Sequence, residues 1–139
     1  MTYTYDYPRP MVTTDVLLFS GKGDERKILL IKRGQEPFQG MWAFPGGFLN
    51  MDEELIECAR RELKEETGIE GVELKELCTV GTIGRDPRGR MITVMFTAEV
   101  NEEELTPEAG DDAASVAWFR LAELPELAFD HRKILNKFS

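Results

Sequence analysis

The sequence predicts an α/β (α+β) chain built as a sandwich around a mixed β-sheet. Three observations carry this. Segments rich in β-branched and apolar residues come first, then one strongly periodic helix, then further strands and a terminal helix. Chain length fits one domain with one core, over residues 1–139. No internal repeat, low-complexity tract or linker divides it.

Taken in order, residues 1–10 read as an extended N-terminal arm rich in Tyr and Pro, without helical period. Val12 to Phe19 and Lys27 to Lys32 read as two strands of a hairpin, joined by the turn at Ser20-Gly21-Lys22-Gly23-Asp24. Gly34 to Gly40 is a loop, and Pro45-Gly46-Gly47 keeps any strand within Trp42 to Phe48 short. Glu54 to Thr67 is the clearest helix. Ile56, Ala59 and Leu63 form its apolar stripe, Asn50 or Asp52 can cap its start, and Gly68 ends it. Val72 to Val80 and Met91 to Val100 read as longer strands separated by an arginine-rich loop. Asn101 to Asp112 is an acidic loop, Ala113 to Phe119 a last strand, and Asp130 to Phe138 the closing helix. Trp42 and Trp118 are expected in the core rather than as stacking platforms.

Composition narrows the function classes. Lys plus Arg number 17 against 26 Asp plus Glu, a net charge of −9. A general nucleic-acid binder needs a basic footprint, so no nucleic-acid partner is expected. An acidic chain still binds a polyanion when a divalent cation lies between its carboxylates and the phosphates; a merely solubilising acidic surface gives the same count. Two cysteines without a CxxC pair and one histidine argue against zinc, and free thiols are expected. No apolar run reaches the roughly 18 residues of a membrane span, and the N-terminus lacks a signal-peptide pattern. No membrane partner and a cytoplasmic location are the resulting expectations.

The chemistry concentrates between Gly47 and Ile69. On a wheel of about 100° per residue, Glu62, Glu65 and Glu66 fall within roughly 100° of arc and about one turn of rise. Like charges so spaced repel by a few tenths of a kcal/mol per pair, which a hard divalent cation offsets. Oxygen-only ligands suit magnesium or manganese. The competing reading is a solvated acidic face, although Glu57, Arg60 and Lys64 already supply one. Arg61 lies between the two faces and can pair with Glu57 and Glu65. Gly46 and Gly47 permit close backbone approach.

Gly47, then Glu53, then Arg61-Glu62-Leu63-Lys64-Glu65-Glu66-Thr67-Gly68-Ile69 resembles the complete signature box of the Nudix hydrolases. The resemblance implies an α/β/α sandwich with a central mixed sheet. It implies magnesium (or manganese) held by Glu62, Glu65, Glu66 and the Gly46 carbonyl, with Glu53 pairing with Arg61 in support. Capping of the helix is the plainer role for Glu53.

Further along, Arg85-Asp86-Pro87-Arg88-Gly89, Gly110-Asp111-Asp112-Ala113 and Phe129-Asp130-His131 resemble the ADP-ribose pyrophosphatase branch. That branch implies a nucleotide substrate and hydrolysis of ADP-ribose to AMP and ribose 5-phosphate. Arg85 and Arg88 offer planar donors for phosphate or ribose, and Arg33 with Phe38 are candidate nucleotide contacts. The general base stays open between the box helix and Glu108, Asp111 and Asp112. Two other readings remain. One is a clean-up hydrolase for oxidised or non-standard nucleoside triphosphates. The other is a non-catalytic, ligand-sensing domain, which the intact box and the chain's end soon after the Nudix-like portion disfavour. A homodimer is the family's habit, and the N-terminal arm would suit strand exchange.

Overall fold

A computed structural model describes residues 2–110 and 113–138. Its centre is a seven-stranded mixed sheet. The strands are β1 (Met11–Ser20), β2 (Lys27–Arg33), β3 (Trp42–Ala43), β4 (Gly46–Phe48), β5 (Lys75–Val80), β6 (Met91–Val100) and β7 (Ala113–Arg120). The helices are α1 (Leu55–Thr67) and α2 (His131–Phe138).

β1 organises the sheet. It runs parallel to β6 along its whole length, Met11 opposite Met91 through Ser20 opposite Val100. Its side chains alternate between two cores, as a strand covered on both faces requires. Val16 and Leu18 join Ala59 and Leu63 of α1 in one cluster. Leu17 and Phe19 join Ile134 and Leu135 of α2 in the other. The expected α/β/α sandwich is therefore present, with one helix on each face. Both tryptophans pack against these cores, Trp42 edge-on to Phe119 with centroids 4.7 Å apart.

The other edge of β1 is forked. β2 pairs with it antiparallel at Phe19 and Ser20, while β4 pairs with it at Thr13, Thr14 and Asp15. β2 continues against β3 and β7. Residues from both branches of the fork line one cleft, and that cleft is the candidate site.

Several boundaries differ from the sequence reading, each for a local reason. The strand expected from Val72 begins at Lys75. Val72 and Leu74 owe their apolar character to packing on the α1-side core, not to pairing. Neither Asn50 nor Asp52 caps α1: Glu54 holds the cap position, and its N–H donates to the Glu57 carboxylate at 2.7 Å. Gly68 does end the helix, at φ 75°. α2 starts at His131 rather than Asp130. Residues 2–10, the described part of the N-terminal arm, are exposed and lie outside any strand. No helix among the described residues is long and apolar enough to cross a membrane.

Candidate functional site

The loop entering α1 is fastened to it by Arg61. Glu53 precedes the helix. The Arg61 guanidinium donates to both Glu53 oxygens at 2.7 and 3.0 Å, to Glu62 at 2.7 Å and to the Phe48 carbonyl at 2.9 Å. Its hydrogen bond holds the Glu53 carboxyl down at about 2, despite the opposing effect of burial. The expected contact to Glu65 is present at 3.3 Å. The expected contact to Glu57 is replaced, because Glu57 is engaged at the helix cap.

Two glycines admit the acids to the floor of the cleft. A side chain at Gly47 would collide with the Glu62 carboxylate, and one at Gly46 with Asp15 and the Thr14 carbonyl. The Gly46 N–H donates to Glu66 at 2.7 Å. Burial pushes the Glu66 carboxyl up to about 8; that N–H opposes the shift, and the charges of Glu62 and Asp15 add to it. Burial also raises Glu62, with Arg61 opposing. Desolvation is thus the main cause of both shifts, with Arg61 bonded to Glu62 and Arg33 acting on Glu66 through space.

Arginines form the facing wall. Arg88 pairs with Asp86 at 2.8 Å, and its guanidinium lies 5.0 Å from the Phe48 ring and 5.3 Å from the Phe129 ring. Burial opposes the Asp86 charge, but Arg88 outweighs it and holds the carboxyl below the usual range. Arg33 donates to the Pro37 carbonyl and lies 5.0 Å over Phe129; burial and the nearby Arg88 lower its pKa. Arg85 is 4% exposed and already committed: it grips both Asp130 oxygens at 2.9 Å and donates to Thr93 at 2.5 Å.

The cleft encloses about 350 Å³. Of the residues singled out in the sequence, Arg33, Gly46, Arg61, Glu62, Glu66, Arg85 and Arg88 all line it. Glu53 stands behind Arg61. Glu65 is half exposed and touches the site only through Arg61. Phe38 sits behind Phe129, edge-on with centroids 4.7 Å apart. Glu108 is exposed and outside the lining, while Asp111 and Asp112 lie outside the described residues. Sequence reasoning missed Asp15, Asp86, Phe129 and His131 as lining residues. Asp15 carried a usable signal, as the lone charge in a β-branched and apolar strand.

The sequence model of the NUDIX domain family matches residues 9–138. The chain belongs to the Nudix family. An ADP-ribose pyrophosphatase of Methanocaldococcus jannaschii is 42% identical to this Nudix chain over 132 residues, covering 95% of it and 75% of the relative. The ADPR-responsive transcriptional repressor NtrR of Acinetobacter baylyi is 37% identical over 136 residues. That match covers 95% of the chain and 54% of the repressor, so the chain spans about half the repressor's length. Among solved structures, the Nudix domain of Shewanella oneidensis NrtR complexed with ADP ribose superimposes with a TM-score of 0.87. It is 33% identical, with 96% of this chain and 90% of that one covered.

The donor set of this Nudix site fits a hard divalent cation. Its donors are oxygens, and two of its carboxylates, Glu62 and Glu66, are partly desolvated and mutually repelling. In the arrangement at hand no three acids among the described residues close around one point, and Arg61 stands against Glu62 and Glu65.

Proposed function

We propose that this Nudix hydrolase cleaves the pyrophosphate of a nucleoside diphosphate derivative, with ADP-ribose as substrate and AMP and ribose 5-phosphate as products. The observation that carries this is one cleft with an acidic floor of Glu62, Glu66 and Asp15 beneath a wall holding Arg33 and Arg88. Such a cleft suits a polyanion that arrives with cations. The pyrophosphatase relative and the ADP-ribose-bound neighbour support the choice of ligand.

Glu62, Glu66 and the Gly46 carbonyl would hold magnesium or manganese, with Glu65 at the margin. When bound, such an ion neutralises phosphate oxygens and lowers the pKa of water. The chain's own residues do the rest. Arg61 fixes Glu53 and Glu62 in place. Arg33 and Arg88 meet the phosphate oxygens with planar donors. Water adds to one phosphorus, the bridging P–O bond breaks, and a proton is released.

The test is kcat/KM for ADP-ribose against a panel of nucleoside diphosphate derivatives and oxidised nucleoside triphosphates, with and without chelator. ADP-ribose should lead, and chelator should abolish turnover. Preference for an oxidised triphosphate would move the assignment to the clean-up reading. A second reading, an ADP-ribose sensor, is favoured by the similarity to NtrR and NrtR. Calorimetric binding of ADP-ribose without hydrolysis would establish it.

A further inference from the structure

We propose that Asp15, oriented by His131, is a further carboxylate of the cation-binding floor, meeting Glu66 at the Gly46 backbone. The inference rests on the reading above that the floor takes a divalent cation, and it adds residues outside the signature box.

Asp15 is only 9% exposed, in a strand whose following residues, Val16 to Phe19, are all core. A carboxylate there opposes folding unless something compensates it. Among the described residues the side chain that meets it is His131, with Nε2 at 3.3 Å from Oδ2. The Phe44 N–H donates to His131 Nδ1 at 3.2 Å, so Nδ1 carries no proton and the ring's proton resides on Nε2. His131 thus accepts through Nδ1 and presents Nε2 to the Asp15 carboxylate. It orients the carboxylate without bonding a cation to it; Arg33 acts on Asp15 and Glu66 only through space. The imidazole cannot swing away, because it stacks on Phe44 at 4.2 Å and 14° between planes.

The other carboxylate oxygen, Oδ1, faces Gly46. Asp15 and Gly46 are opposed in the β1–β4 pairing, and any side chain at Gly46 would strike Oδ1. Glu66 grips the N–H of the same glycine. Two acids from different elements thus converge on one backbone residue, and among the described residues no cationic side chain is bonded to either. Arg33, which lines the same cleft, directs its Nε to the Pro37 carbonyl. A histidine that orients a carboxylate beside a cation acts as a positioning residue, and loss of such support typically weakens metal binding by about 10–100-fold.

The test is Mn²⁺ affinity, read from the free-ion EPR signal, for wild type, Asp15→Asn and His131→Phe, together with thermal melts in chelator. Asp15→Asn keeps an acceptor for His131 and removes the charge. Its Mn²⁺ affinity should fall on the order of tenfold or more, with the chelator melt unchanged or raised. His131→Phe keeps the stacking on Phe44 and frees the Asp15 side chain; its affinity should fall by a smaller factor, and it answers in place of Asp15→Asn should that variant not fold. Wild-type Mn²⁺ affinity in the folded variants, with only the chelator melt lowered, overturns the inference and makes the pair structural. Wild-type protein that binds no Mn²⁺ overturns the cation reading itself, a separate outcome.

Discussion

Arg61 holds the Glu53 carboxylate by both oxygens, Nη2 to Oε1 at 2.7 Å and Nε to Oε2 at 3.0 Å, while its Nη1 reaches Glu62. One planar group thereby ties the loop before α1 to an acid of the cleft floor. A lysine keeps the charge and loses the fork. Arg61→Lys should lower kcat or cation affinity by about 10–100-fold, the usual effect of removing a group that orients a ligand. Steady-state kinetics across a Mn²⁺ titration checks it, and unchanged values would show that the fork is dispensable.

Glu62 and Glu66 enter the cleft, whereas Glu65 stays at its edge. Glu62→Gln and Glu66→Gln should each reduce kcat on the order of 10²–10⁴-fold, comparable to loss of a key charge-stabilising or acid–base group. Glu65→Gln should lose less. Equal losses at all three positions would contradict the placement of Glu65.

The buried carboxyls also set a pH dependence. Glu66 lies at about 8 against an ordinary 4.5, so the folded metal-free protein holds that proton more tightly than the unfolded chain. Its contribution is fully present below 4.5 and is lost as pH rises through about 8. Glu62, raised by burial, has the same sign. Glu53, at about 2, contributes the opposite slope, but only below 4.5. Urea unfolding in chelator should show wild-type stability falling from pH 5 to pH 8.5 more steeply than that of Glu66→Gln. Parallel slopes would refute this origin.

Arg85 and Arg88 look equivalent in the sequence, and the structure separates them. Arg85 is buried against Asp130, so Arg85→Ala strands a carboxylate and should destabilise the fold by about 3–5 kcal/mol. Arg88 is partly exposed in the cleft. Arg88→Lys, which leaves the buried Asp86 a cationic partner and removes the planar fork, should cost about 1.5–3 kcal/mol of substrate binding, falling mainly on KM. Thermal melts beside Michaelis kinetics distinguish the two, and the reverse pattern would contradict the geometry.

Much of the fold was legible because periodicity is local. Leu63 and Ala59 announce a helix, and β6 was bounded at Met91 and Val100. The box acids were legible for the same reason, since one helix carries Glu62, Glu65 and Glu66. What stayed hidden depends on pairing distant segments. His131 reaches Asp15 from the other end of the chain, and Asp130 finds Arg85 across 45 positions. Val72 and Leu74 misled for a related reason, since packing against a core and pairing in a sheet select the same residue types.

The most direct measurement is product analysis of ADP-ribose incubated with the protein and Mg²⁺, for wild type and Glu66→Gln, by ion-exchange chromatography. Equimolar AMP and ribose 5-phosphate from wild type, with release slowed on the order of 10²-fold or more in the variant, is the result expected. ADP-ribose left intact by the wild-type protein, or cleaved equally fast by the variant, would contradict it.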